Sequence, residues 1–288
     1  MKVSELKRVL KERGLAPRNR LGQNFLIDPA LLQSIVQDAG VQKGDRVLEV
    51  GPGAGALTEV LLSCGAEVFA VEIDAGLCGW LRERFSSEIE DGRLRLLEGD
   101  VLAKGEVFHP EVEKWWVQGP PPRIVSNLPY AISGPFLGRL PGRPSLGVHL
   151  LLQKEMAEKA AGRGGAGPLP FRIQLSFHAT LGRRLPPEVF WPRPQVDSAF
   201  LVLEPRLDVP EPELQLVLKE VLQLGFSQRR KRLLSRLQAV FPAAASELES
   251  LGVLPNARAE NVPAELWLKA ARAVIIHGSP SSQDPPKN

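Results

Sequence analysis

The chain has 288 residues, 43% of them apolar, with 36 basic and 33 acidic side chains. That length suits one large α/β domain and a smaller second one, and a net charge of +3 permits an RNA partner without demanding one. No run of 18 apolar residues and no leader pattern occurs, so a soluble, cytoplasmic protein without membrane contact is expected.

A basic stretch, residues 7–20, opens the chain and leads into Leu21-Gly22-Gln23-Asn24-Phe25-Leu26. Asp28-Pro29 then marks a helix start, with aspartate as cap and proline in the first turn. Residues 45–50 read as a buried strand, Gly51-Pro52-Gly53-Ala54-Gly55 as a turn, and residues 56–62 as a helix. Strand, glycine turn and helix form the nucleotide-binding first half of a βαβ unit. The next strand, 67–71, ends at Glu72, where a carboxylate meets the hydroxyls of a cofactor ribose. A further strand, 94–99, ends at Asp100.

Gly51-x-Gly53-x-x-Ala56 also fits the dinucleotide fingerprint, so a nicotinamide dehydrogenase competes at this point. The alternation Glu49-x-Gly51-x-Gly53-x-Gly55 and the second acid, Asp100, favour S-adenosylmethionine, with Asp100 able to bind an adenine amino group. The plainer alternative is that Glu72 and Asp100 cap following helices, although Asp74 already supplies one such cap.

The apolar run 123–126 closes on Asn127-Leu128-Pro129-Tyr130. This tetrapeptide puts an amide, two carbonyls and the chain's single tyrosine at a strand end. Such a cluster can grip a flat heterocycle: the ring stacks, and the oxygens accept from an exocyclic amine. An ordinary proline turn is the competing reading.

Strands are predicted at 146–152, near 171–177 and at 198–203, then a proline-rich linker at 204–212. Residues 214–226, 229–241 and 264–276 have helical periodicity, and the Ser- and Pro-rich tail 278–288 reads as disordered. The helix at 229–241 carries Arg229, Arg230, Lys231, Arg232 and Arg236, suited to phosphate, over an apolar face of Leu233, Leu237, Val240 and Phe241. A merely solvated basic face is the alternative. Cys64 and Cys78 are too few and wrongly spaced for structural zinc, the four histidines are scattered, and no metal is expected.

Together LGQNFL, VLEVGPGAG, VEID, GD, NLPYAISGP, LLQKEMAE, VFWPRPQVDSA, FSQRRKRL and RAEN, in that order, resemble the ribosomal RNA adenine dimethyltransferase family, small-subunit branch. The resemblance spans residues 21–258 and implies a class I methyltransferase: an α/β, Rossmann-like sheet with helices on both faces, plus a small C-terminal helical domain. The expected division is 1–205 for methyl transfer, 206–277 for RNA binding and 278–288 for the tail. It implies S-adenosylmethionine held by Asn24, Leu26, Gly51, Gly53, Glu72, Asp100 and Asn127. It also implies that Asn127 with the Leu128 and Pro129 carbonyls holds the target amine, and that Tyr130 and Phe190 lie against the base; core packing is the alternative for Phe190. The implied RNA contacts are Arg229, Arg230, Lys231 and Arg232.

The implied partner is small-subunit rRNA in an immature subunit, met by a monomer that dimethylates two adjacent adenosines near the 3′ end. A methyltransferase for amines of another nucleic acid, and an assembly factor that keeps the fold, are the other readings. The chain departs from the family at Gln195, where lysine is usual, at Leu169-Pro170-Phe171, and in the stiff connections 120–122 and 141–144.

Overall fold

The computed structural model describes residues 3–18, 21–104, 107–227 and 232–277. Its strands are β1 (Phe25–Leu26), β2 (Arg46–Val50), β3 (Glu67–Glu72), β4 (Leu94–Glu98), β5 (Arg123–Asn127), β6 (Gly147–Gln153), β7 (Phe177–Leu185), β8 (Phe190–Trp191) and β9 (Ser198–Pro205). Its helices are α1 (Val3–Glu12), α2 (Pro29–Asp38), α3 (Ala56–Ser63), α4 (Ala75–Arg84), α5 (Ser86–Glu90), α6 (Pro110–Val117), α7 (Ser133–Gly138), α8 (Lys154–Ala160) and α9 (Pro168–Ser176). They continue with α10 (Pro212–Phe226), α11 (Leu233–Val240), α12 (Pro242–Ser250) and α13 (Ala264–His277).

Seven strands form one sheet in the order β4-β3-β2-β5-β6-β9-β7. β2 to β6 run parallel, whereas β9 is antiparallel to both β6 and β7. Chain order reverses between β2 and β5, and a parallel sheet opens a crevice above such a switch point. β2 and β5 pair at Val47–Arg123 and Leu48–Ile124; past that point the Ser126 hydroxyl donates to the Val50 carbonyl at 2.6 Å.

Alternation along the strands divides the core in two. Leu48, Val50, Phe69, Val71 and Ile124 face one way, onto Phe108, Val112 and Trp116 near and on α6 and onto Phe136 of α7. Val47, Val68, Ala70 and Val125 face the other way, onto Leu32, Ile35, Leu61 and Leu81 of α2, α3 and α4. Both faces are apolar because both are covered by helices. A third core joins α10 to α13 and reaches back to Phe171 and Leu175 of α9.

Residues 168–176 correct one sequence expectation. Phe171, Ile173, Leu175 and Phe177 alternate as in a strand, yet all but the last lie in α9. Pro168 starts that helix, and Phe171 and Leu175, four apart, share a face on the C-terminal core while Ile173 meets the sheet. The strand comes later, as β7, whose mixed burial carries little apolar signal. The helix expected over 229–241 is α11, from Leu233; residues 228–231 and the tail 278–288 lie outside the described residues. The helix α12 was absent from the sequence reading.

Candidate active site

The crevice is walled by the glycine turn after β2, the ends of β3 and β4, the NLPY turn after β5, and residues 21–27. Gly51, Gly53 and Gly55 all have positive φ (70°, 59° and 83°), a backbone that side chains oppose. Each also lacks room. A Cβ at Gly51 would meet Pro129 at 2.8 Å, at Gly53 Phe25 at 2.8 Å, and at Gly55 Phe85 at 2.6 Å. The three short motifs are therefore packed on one another. The Ala54 carbonyl between them accepts from Trp80 Nε1 (3.2 Å) and Arg84 Nη1 (2.8 Å), which pins the turn to α4.

Glu72 is buried at the end of β3. One oxygen accepts from the Gly53 N–H at 3.0 Å and the other from the Asp74 N–H at 2.9 Å. Burial raises its pKa despite these donors. Asp74, not Glu72, caps α4, through Gly76 and Leu77. Asp100 is exposed on the crevice wall, one oxygen accepting from the Leu102 N–H at 2.8 Å, so it closes a turn there. Beneath the glycine turn Glu49 is wholly buried, accepts from the Thr58 hydroxyl at 2.7 Å, and is pushed up to about 8, chiefly by burial.

Asn127 donates through Nδ2 to the Asn24 carbonyl at 2.9 Å. That bond sets the amide's orientation and leaves Oδ1 as its acceptor. The Pro129 carbonyl is occupied, accepting from Ile132 N–H (3.1 Å) and Ser133 Oγ (3.3 Å). The Leu128 carbonyl accepts no hydrogen bond from the described residues, so of the two carbonyls expected to hold an amine it is the open one. Tyr130 is half-buried, with its hydroxyl 2.6 Å from Ser198 Oγ. A second, more open cavity shares Gly22, Asn24, Tyr130 and Ala131 with the crevice and continues to Gln153 and residues 194–196.

Leu26 and Asn24 line the crevice, and the Asn24 carbonyl accepts from the Asn127 amide. Phe190 does not line either cavity. It is 3% exposed, pairs with Leu26 across the antiparallel β1–β8 rung and sits in the core beneath α2 and α3. Strand alternation explains this: Phe190 points inward and Trp191 outward, stacked on Phe25 at 6.3 Å and 20°. Arg236 is also corrected, since its Nη2 donates to the Gly225 carbonyl at 2.7 Å and caps the end of α10. Arg232 is exposed ahead of α11, whereas Arg229, Arg230 and Lys231 lie outside the described residues.

Sequence reading missed Ser198 and Gln153 as site residues, and the cover provided by α1. Leu6 of α1 lines the crevice and packs with Leu10, Phe25, Ala54 and Leu77. Arg18 pairs with Asp74 at 3.2 Å, so the basic opening stretch is partly spent on holding this cover down. The amphipathic spacing of Leu6, Val9 and Leu10 was the available signal.

The sheet order, its antiparallel β9 and the crevice at the switch point define a class I methyltransferase. Residues 14–275 match the family described as ribosomal RNA adenine dimethylase, and the chain belongs to that family of enzymes. Ribosomal RNA small subunit methyltransferase A of Thermosynechococcus vestitus is 40% identical over 263 residues, 87% of this chain and 94% of that one. Its namesake in Lactobacillus helveticus is 35% identical over 269 residues, 89% and 91% of the two chains. Among solved structures, the 23S rRNA methyltransferase ErmE has a TM-score of 0.63 at 25% identity, covering 88% of this chain and 100% of its own. A dimethyladenosine transferase from Plasmodium falciparum, at TM-score 0.67 and 22% identity over 88% and 98% of the chains, shares the fold. This family membership removes the dehydrogenase alternative.

Proposed function

We propose that this enzyme dimethylates N6 of two adjacent adenosines near the 3′ end of small-subunit rRNA, with S-adenosylmethionine as donor and an immature subunit as substrate. The observation that carries the reading is the Asn127 amide on the crevice wall, tied back by Asn24, a residue of both cavities, with its Oδ1 left as acceptor. The relatives named for the small ribosomal subunit support that choice of polymer.

The crevice fits the donor. The glycine turn provides a close backbone approach that a Cβ would fill, Glu72 suits ribose hydroxyls and Asp100 keeps one oxygen for an adenine amine. When bound, S-adenosylmethionine supplies a methyl group on a positively charged sulfur. Asn24 and Leu26 complete that wall.

An adenine amine is a poor nucleophile because its lone pair is conjugated into the ring. Acceptance of both N–H bonds, by Asn127 Oδ1 and the Leu128 carbonyl, favours a pyramidal nitrogen with a freer lone pair. The same dipoles stabilise the positive charge that develops on nitrogen, and they are fixed before reaction. Tyr130 offers a stacking face, and Pro129 wedges the turn against Gly51. Residues 124–133 contain no His, Asp or Glu, which suits a reaction whose cationic product loses its proton to solvent. The target base must be unpaired or flipped to reach this depth.

Arg232 and its neighbours 229–231 are the proposed phosphate contacts, and residues 206–277 the RNA-side unit of a cytoplasmic monomer. No helix among the described residues is long and apolar enough to cross a membrane.

The test is transfer of labelled methyl to unmethylated small subunits, followed by nucleoside analysis. Dimethyladenosine at two neighbouring 3′-end positions is expected, with a loss of roughly 10²–10³ in rate for Asn127→Ala and unchanged particle binding. Tight particle binding without any transfer would convert the chain into an assembly factor.

A further inference from the structure

The second cavity has a built end. Gln153 closes β6 and faces Ser198 across the antiparallel ladder, and Ser198 holds the Tyr130 hydroxyl at 2.6 Å. The Lys154 N–H donates to the Asp197 carbonyl at 3.0 Å, which locks the same corner from the other side. One rung of the sheet thus fixes both the ring of Tyr130 and the residue opposite it. Gln153 lines this cavity, and its carboxamide makes no cap bond to α8 and has no hydrogen-bond partner among the described residues. Of the other amides on the wall, Asn24 already donates to the Gly22 carbonyl at 3.2 Å, and Gln195 is exposed in the loop before β9 and lacks such support. A site built on a strand end positions a donor better than one built on a loop.

An adenine whose amine lies between Asn127 Oδ1 and the Leu128 carbonyl still has ring nitrogens beside that amine, N1 and N7. Both are acceptors, and desolvating one without a donor is unfavourable. A carboxamide supplies the N–H that such a nitrogen needs, as glutamine does when it reads adenine. We propose that Gln153 is a specificity-determining residue that donates an amide N–H to the ring nitrogen adjoining the target amine. Guanine, with a carbonyl oxygen in place of that amine, would set oxygen against oxygen at Asn127. This inference rests on the adenine-methylation reading above and assigns the base-recognition half of that site.

The experiment pairs a residue with an atom. Small subunits are reconstituted with ordinary adenosines, 1-deazaadenosine or 7-deazaadenosine at the target positions, and kcat/KM for methyl transfer is measured with wild type and Gln153→Met. The expected result is a loss of roughly tenfold or more for wild type on one of the two analogues. Gln153→Met should show a similar loss on ordinary subunits and no further loss on that analogue. Calorimetric affinity for S-adenosylhomocysteine should be unchanged. Gln153→Glu, which keeps the size and removes the donor, gives the same readout if the methionine disturbs folding. Wild-type efficiency of both variants on ordinary subunits would overturn the assignment, as would residue and atom losses that simply multiply. No methylation of ordinary subunits by wild type is a different failure, that of the function reading itself, and the assignment falls with it.

Discussion

The Tyr130 hydroxyl and the Ser198 hydroxyl, 68 positions apart in the chain, lie 2.6 Å from each other, and Tyr130 lines both the crevice and the second cavity. Ser198 is fully buried, so the bond anchors the far end of a half-buried ring whose near end is fixed by the NLPY turn. Burial raises the Tyr130 pKa and the serine bond opposes that rise. Since Tyr130 is the chain's single tyrosine, its phenolate can be followed by ultraviolet absorbance alone. Ser198→Ala is expected to move that titration to higher pH and to lower kcat by roughly threefold to tenfold, with cofactor affinity retained. An unmoved titration would separate Ser198 from Tyr130.

Asn127→Asp keeps the side chain's shape and adds an acceptor, yet it loses the donor that faces the Asn24 carbonyl. Two oxygens would then oppose each other, and the carboxylate should turn away or take up a proton. Its activity is expected to fall with that of Asn127→Ala, by roughly 10²–10³. Single-turnover methyl transfer on small subunits checks this; rescue by aspartate would show that the Asn24 tether is dispensable.

Glu49 links stability to pH. Its folded pKa, about 8, lies above the ordinary 4.5 because the side chain is buried, with the Glu72 charge adding to the rise and the Thr58 bond opposing it. The stability associated with the protonated form is therefore full below 4.5 and is lost as pH rises from there through about 8. Glu49→Gln copies the protonated carboxyl. Its melting temperature should match wild type near about pH 4 and exceed it by roughly 3–10 °C near about pH 9. Parallel curves for the two proteins would place the titration elsewhere.

Gly53→Ala should damage the glycine turn in two ways. A Cβ at φ +59° costs about 1–2 kcal/mol, and it would press on Phe25, which cannot swing aside because Trp191 stacks on it. A melting temperature lowered by roughly 2–8 °C, with weaker S-adenosylhomocysteine binding by calorimetry, is expected. Unchanged affinity would show that the turn can shift without cost to the ligand.

Gln195 lines the second cavity from an exposed loop, at the position where the family resemblance leads one to expect lysine. Gln195→Lys should add one phosphate contact. Particle affinity should rise at low salt, and the slope of log affinity against log salt should steepen by about one. Equal slopes would mean that no phosphate passes this corner.

Much of the crevice was legible because its motifs are local. The glycine turn needs positive φ at alternate residues, Asp28 and Asp74 cap the helices that follow them, and strands ending at Glu72, Glu98 (two residues before Asp100) and Asn127 point one way in a parallel sheet. The second cavity was less legible because it is made by pairings far apart in the chain. Nothing near Ser198 announces Tyr130, and only the β6–β9 register puts Gln153 beside it. The burial of Phe190 was open for a related reason, since an aromatic between prolines does not reveal which side of a two-residue strand it takes. Over 168–176 a period-two pattern arose from a helix buried on two faces, which periodicity alone cannot tell from a strand.

The β1–β8 rung has a consequence for synthesis on the ribosome. Phe25 and Leu26 leave the exit tunnel early, but their partners Trp191 and Phe190 follow some 165 residues later, and Ser198 later still. Until then the wall that carries Asn24 has no strand to lie on, and Tyr130 has no anchor. A nascent chain can therefore assemble the glycine turn long before Asn24 and Tyr130 are held in place, and the finished crevice arrives as a late event in translation.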